Sequence, residues 1–324
     1  MRRRDLLILF AAAGCSVPLP SEAQQKPVIG ILASGSAEGF ATIVQSFREG
    51  LKRQGFAEGE NLAIEYAWAE GNYDKLPELA ADLVKRKVDA IVAIGGAVAA
   101  LAVKRATSSI PIVFSIGDDP VKFGVVENLG RPNGNITGVT LFMGELTPKR
   151  MELLAALSPT GKLVILTNPR NPNAQAEVEA ARAAAKQGAR ALDVINATND
   201  AELESGIAQI GQQPGTAMIL ATDPFFFIQR AKIATLAVKH AVPGIYFHRG
   251  FATAGGLISY GATIHAENVA AGIYTGRILK GEKPGDLPIQ QPSKIELVVN
   301  AKTARDLKIV VPSTILALAD DIIE

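Results

Sequence analysis

One cysteine, Cys15, and three histidines, His240, His248 and His265, are all that a chain of 324 residues offers for thiol or imidazole chemistry. A single cysteine excludes an internal disulfide framework and a cysteine-rich metal site, and the histidines are scattered without metal-ligand spacing. No metal and no other cofactor is expected. The chain also lacks a charge excess: 33 Lys and Arg stand against 32 Asp and Glu, with no long basic run, so nucleic acid is not an expected partner. No Walker, G-x-G-x-x-G or G-x-S-x-G pattern occurs, and a tight turn explains Gly95-Gly96 as well as phosphate binding would. Catalytic machinery is therefore not visible. Beyond residue 25 no apolar run reaches membrane-spanning length.

The amino terminus reads as a targeting segment. Arg2, Arg3 and Arg4 precede an apolar stretch from Leu6 to about Cys15, then Pro18, Pro20 and the small-residue site Ser21-Glu22-Ala23. This is the pattern of a secretory signal peptide over residues 1–23, cleaved after Ala23, which places the mature protein in the periplasm. Arg3-Arg4 also fits a loose twin-arginine signal, and "AAGC" offers lipidation at Cys15 as the alternative to cleavage.

From Pro27 onward short apolar runs alternate with amphipathic stretches, the pattern of a doubly wound α/β architecture with parallel sheets. Three runs share one plan: "IPIVFSIGDDPV", "KLVILTNPRNP" and "AMILATDPFF" each lead an apolar strand into Asp-Pro or Asn-Pro. Asp or Asn caps a helix and Pro suits its first turn, so each predicts strand, turn, helix. Short helices are expected from about Pro120, and a long one from Pro224 to His240. The rhythm starts afresh at Lys162, which implies two similar lobes. We expect residues 24–142 to form the first lobe, with about 256–283 returning to it, and 143–255 to form the second, with about 284–324 returning. Arg131–Gly138 is a candidate hinge because Pro132, Gly134 and Gly138 break both periodicities.

Ligands of open parallel sheets sit beyond the carboxyl ends of the strands. Those positions include Ser34, Gly35 and Ser36; Gly96 and Ala97; Ser115, Gly117, Asp118 and Asp119; Asn168; Thr222, Asp223 and Phe225; Tyr246, His248 and Arg249; and Tyr260. Small residues admit a ligand to backbone N–H groups at helix starts. Asp119 and Asp223 could pair with an ammonium group, Arg249 could grip a carboxylate, and Phe225, Tyr246 or Tyr260 could form an apolar wall. Asp119 and Asp223 are equally explained as N-caps, and at most two of Phe225, Phe226 and Phe227 can face a cleft.

"LKRQGFAEGENLAIEYAWAEGNYDKLPELAADLV", "IPIVFSIGDDPVKFGVVENLGRPNGNITGV", "GGLISYG" and "ILKGEKPGDLPIQQPSKIELVVNAKTARDLKIVVP" closely resemble the ABC transporter substrate-binding protein family with tryptophan- and tyrosine-binding relatives. The resemblance spans nearly the whole mature chain. It implies a type I periplasmic binding fold, two Rossmann-like lobes joined by three crossings, and a ligand in the cleft. It implies an extracytoplasmic receptor without catalysis, a small zwitterionic or carboxylate-bearing solute, aromatic amino acids among the candidates, and an ABC permease as partner. A monomer is expected. After "GGLISYG" the chain departs from many relatives with "ATIHAENVAAG", where His265 and Asn268 are new polar candidates, each also readable as a surface-helix residue. An enzyme on the same scaffold, or a sensor feeding a receptor kinase, is the alternative.

Overall fold

Five apolar runs, each continuing into a helix or turn, build the first sheet of the computed structural model, which describes residues 26–324. The predicted targeting segment and Cys15 lie outside the described residues. The order is β1 (Val28–Ala33), α1 (Ala41–Arg53), β2 (Ala63–Trp68), α2 (Leu76–Lys85), β3 (Ala90–Ile94), α3 (Gly96–Ala106), β4 (Ile112–Ile116) and β5 (Ile136–Thr140). The strands pair in parallel in the order β2-β1-β3-β4-β5. β3, β4 and β5 are buried along their full length, as continuous apolar runs between two helical layers should be.

The second lobe repeats the plan. It comprises α4 (Thr147–Leu157), β6 (Leu163–Thr167), α5 (Ala174–Gln187), β7 (Leu192–Asn196), α6 (Asp200–Gly211), β8 (Ala217–Leu220), α7 (Pro224–Ile228), α8 (Arg230–Lys239), β9 (Gly244–Tyr246), α9 (Arg249–Thr253) and β10 (Ile258–Ala262). Its sheet runs β7-β6-β8-β9-β10, the order of the first lobe over again, and is extended by β11 (Ile295–Asn300), antiparallel to β10, and by β12 (Asp321–Ile323). Between them lie α10 (His265–Leu279), α11 (Ala301–Asp306) and α12 (Ser313–Leu318).

Four expectations need correction. The return to the first lobe does not start at residue 256, because β10 completes the second sheet between β9 and β11; it begins with α10, which packs on α1 and against β3, β4 and β5, and continues to residue 290, where Ile289 N–H donates to Leu129 C=O and Gln290 N–H to Gly138 C=O, so residues 284–290 belong with the first lobe and not the second. Arg131–Gly138 is no hinge: it leads straight into β5 inside the first sheet. The helix expected from Pro224 to His240 is two helices, broken at Gln229. The short helix expected from Pro120 is a set of turns instead, closed by Phe123 N–H to Asp119 C=O and Val125 N–H to Pro120 C=O.

The chain passes between lobes near residues 141–143, near 263–264 and near 291–294. These segments are laced together: Thr140 N–H donates to Gln290 C=O at 2.9 Å and Thr263 N–H to Lys294 C=O at 3.0 Å. Adjacent, hydrogen-bonded crossings of this kind permit hinge bending while keeping register. Among the described residues no helix is long and apolar enough to cross a membrane.

α10 is held to α1 at glycine. A Cβ at Gly272 would lie 2.1 Å from the Phe47 carbonyl oxygen, and one at Gly50 would lie 2.0 Å from that of Val269. Backbone cannot step aside as a flexible side chain can, so Gly272→Ala should cost more than about 2 kcal/mol in urea unfolding. A loss under a few tenths would show that these helices do not touch.

Candidate functional site

The carboxyl ends of both sheets face each other across one cavity. Phe40, Ile43, Ile94, Phe227, Phe247 and Ile264 form most of its apolar wall, with Leu141 and Met143 from the first crossing. Its polar lining is Ser115, Asp118, Asn171, Thr222, Asp223 and Asn268.

Asp118 follows β4 and is 3% exposed. One carboxylate oxygen accepts from the Ala97 N–H at the start of α3, at 2.8 Å; no hydrogen bond reaches the other. Burial pushes its pKa up to about 7, opposed by the Ala97 N–H and reinforced by the negative charges of Glu177 and Asp223. Gly96 permits this approach: its φ is +83°, and a Cβ there would sit 3.0 Å from Pro224 of the other lobe.

Asp223 lies across the cavity at the start of α7. It caps that helix by accepting from the N–H groups of Phe225 and Phe226, at 2.9 and 3.2 Å. It also accepts from Asn168 at 3.2 Å, from Asn171 at 3.0 Å and from the Tyr73 hydroxyl of the first lobe at 2.9 Å. Burial pushes Asp223 up to about 6, and the Tyr73 and asparagine donors pull the other way. The Tyr73 hydroxyl also accepts from Phe225 N–H at 3.1 Å, so a first-lobe tyrosine is seated in the helix start of the second lobe. Other contacts bridge the lobes: Arg170 with Asp74 at 3.0 Å, Arg230 with the Gly39 carbonyl at 3.2 Å, and Ile228 against Gly35 and Gly39, where a Cβ would meet it at 2.7 and 2.5 Å. The lobes are closed on each other.

Behind Thr222 lies a buried ion pair. Arg150 and Glu177 stand 3.9 Å apart and are fully enclosed. Glu177 accepts from Thr222 N–H and from Asn173, while Arg150 donates from Nη2 to the Met143 carbonyl and to the hydroxyls of Thr147 and Thr222. The pair fixes the strand end that carries Thr222 and Asp223. Among the described residues no group of three His, Cys, Asp or Glu side chains could hold a metal ion.

Residues 28–323 match the family described as ABC transporter substrate binding protein. The chain belongs to that family. It is 24% identical over 264 residues to the tyrosine-binding protein of Clostridioides difficile (strain R20291), covering 81% of this chain and 75% of that protein. In fold it is similar to a conserved domain protein from Vibrio cholerae (TM-score 0.82, 25% identity, covering 92% of this chain and 100% of that one). It is also similar to the ABC domain from Streptococcus pneumonia in complex with L-Trp (TM-score 0.80, 25% identity, the same coverage). The ligand-free, open substrate binding protein from Clostridium difficile gives a TM-score of 0.62 at 24% identity, covering 92% and 99%.

Within this substrate-binding protein the expected residues divide. Gly96, Ser115 and Asp223 line the cavity, and Ala97 serves it through its N–H on Asp118. Ser34, Gly35 and Ser36 do not line it; Ser34 donates to the Gly95 carbonyl at 2.6 Å, Ser36 accepts from Gly39 N–H, and Gly35 makes room for Ile228. Asp119 is only a cap, accepting from Val121 and Lys122 N–H at 2.9 and 3.2 Å. Asn168 stands behind the cavity, holding Asp223. Phe225 turns its N–H to Tyr73, and Phe227 supplies the wall instead. Tyr246 is core, fully buried and stacked on Phe251 at 5.0 Å. Arg249 is already gripped by Glu296 at 2.8 Å and Asp321 at 2.9 Å. Tyr260 packs into the hydrophobic cluster that holds Met151, Leu154 and Val299, away from the cleft.

His248 caps α9 by accepting from Gly250 N–H, and burial together with Arg230 and Arg249 lowers its pKa to about 3. His265 meets Ser46 at 2.9 Å outside the cavity, whereas Asn268 lines it and accepts from Ser115 at 2.8 Å. Sequence reasoning missed Tyr73 and Asn171 altogether, and it singled out Asp119 where Asp118 is the member of the pair that lines the cavity. The two-residue offset of an Asx cap from the N–H it binds was the available signal, since the residue before Pro120 suits that cap.

Two predictions follow from the carboxylates. Tyr73→Phe removes two interlobe hydrogen bonds, the one given to Asp223 and the one taken from Phe225 N–H, so solute affinity should fall roughly 5- to 100-fold, about 1–3 kcal/mol, by titration calorimetry; unchanged affinity would mean the contact does not support closure. Asp118 and Asp223 are both raised above their unfolded values, so their neutral forms stabilise the closed fold fully below about pH 4, and that contribution is lost as pH rises through about 7. The Tm of the solute-free protein should drop from pH 5 to pH 8, and Asp118→Asn should flatten the drop. An equal slope in the variant would show that Asp118 is not raised.

Proposed function

We propose that this substrate-binding protein receives a small amino acid or a close analogue in the interlobe cavity. The observation that carries the reading is Asp118: a buried carboxylate with one unbonded oxygen, facing a cavity that no cationic side chain lines, suits an ammonium group better than any neutral ligand. Phe40, Phe227 and Phe247 supply a wall for an apolar or aromatic side chain. The relatives that bind tyrosine or carry L-Trp support the same class of ligand.

Closure follows from the same parts. A ligand that touches Asp118 and Ser115 of the first lobe and Thr222 and Asp223 of the second gains contacts only when both lobes are in place, so binding shifts the population toward the closed form. The closed form then docks on the membrane permease of an ABC importer. The protein works as a monomer in the periplasm, reached through the signal over residues 1–23, and it releases its solute unchanged. The pairing of Asp118 with a backbone N–H, without a nucleophile or proton relay beside it, supports binding over turnover.

A thermal-shift screen of the ligand-stripped protein against the common amino acids tests this. A ligand at 100 times its Kd contributes about 2.7 kcal/mol, enough for a rise of a few degrees. Asp118→Asn should abolish the rise, weakening binding by about 1.5–3 kcal/mol, while Asp119→Asn should leave affinity intact. The reverse ranking would move the site out of this cavity, and product formation would reveal an enzyme.

A further inference from the structure

We infer that the cavity recognises its solute through the ammonium group alone, so that simple amines lacking a carboxylate are ligands alongside the amino acids. This rests on reading the interlobe cavity as the solute site, and it goes beyond that reading by dividing the amino acid's two charges.

The charges around the cavity are unequal. Asp118 and Asp223 line it, and Glu177 stands behind Thr222, accepting from its N–H at 2.9 Å. No Lys, Arg or His is among the lining residues. The one buried cation nearby, Arg150, sits 3.9 Å from Glu177, gives its Nη2 to Met143, Thr147 and Thr222, leaves Nε and Nη1 without partners, and does not line the cavity. Three enclosed carboxylates therefore face one guanidinium, and a single added cation brings the cluster closer to balance. The unbonded oxygen of Asp118 is the natural seat for it.

The neutral donors point the same way. Asn268 gives its Nδ2 to the Ile264 carbonyl and accepts from Ser115. Asn171 gives its Nδ2 to the Thr222 carbonyl and to Asp223, and its Oδ1 takes Asn173 N–H. Asn171 is thus fully committed within the protein, while Asn268 keeps one N–H. A ligand carboxylate would find no lining cation, and it would face two carboxylates. The ammonium, by contrast, meets an acceptor with nothing else to bind, and the apolar body packs on Phe40, Phe227 and Phe247.

The test is a triad series by titration calorimetry at pH 8: phenylalanine, phenethylamine and hydrocinnamate; tryptophan, tryptamine and indolepropionate; leucine, isoamylamine and isocaproate. In at least one series the amine should bind at least as tightly as the amino acid, and the deaminated acid at least about 100-fold more weakly. Asp118→Asn should remove amine binding without creating binding of the acid. Amino acids that bind while their amines do not would overturn the inference and leave the solute-receptor reading standing. Acids that bind as well as amines would overturn it too. If no member of any series binds, the reading of the cavity as an amino-acid site falls with it.

Discussion

A carboxylate enclosed between two lobes has to be hydrogen-bonded, paired with a cation or protonated, and everything at the centre of this protein answers to that constraint. Asp223 meets it with protein donors alone, one of which, the Tyr73 hydroxyl, comes from the opposite lobe. Asp118 meets it only half way, with a single N–H from Ala97. One carboxylate therefore holds the lobes together, and the other leaves a demand that a ligand can fill. Their separate environments assign these roles, since the residue type is the same.

The fold exists to set these two groups opposite each other. Each lobe places a loop after a buried strand, β4 in the first and β8 in the second; the Ala97 N–H at the start of α3 fixes the Asp118 carboxylate, and the start of α7 fixes that of Asp223. Glycines let the lobes close far enough for the contact to form. Gly35 and Gly39 admit Ile228, and Gly96 admits Pro224. Residues 141–143, 263–264 and 291–294 supply the bending, and the α1 to α10 glycine contact keeps the returning helix tied to its lobe while they do so.

Much of this fold can be read in the sequence, because a continuous apolar run followed by Asp-Pro, Asn-Pro or Gly-Gly has a local cause and a local consequence. The type I periplasmic binding architecture and the family follow from it and from the quoted motifs. Long-range partners are what sequence could not supply. Arg249 looks free until Asp321, in a strand 72 positions later, is brought beside it. Tyr246 looks like a cleft residue until its ring is seen stacked on Phe251 in the core. β10 looks like the start of a return to the first lobe until β11 pairs with its open edge. At the cavity the loops after β3, β4 and β8 are lining segments as expected, the loop at Ser34–Ser36 is not, and individual residues within the loops differ. Adjacent positions in a turn face opposite ways, and only the cap geometry at Asp119 decides that Asp118 is the one turned inward.

The central claim is that solute is enclosed by closure of the two lobes over the cavity containing Asp118. Its most direct test is the distance between spin labels on cysteines introduced at Arg105 and Lys186, exposed helical positions in the first and second lobes, in a chain whose described residues contain no cysteine of their own. Adding a solute that binds should shift the solute-free distribution from a broad or long distance to a single shorter one, and Asp118→Asn should not respond. A bound solute that leaves the distribution unchanged would contradict the account.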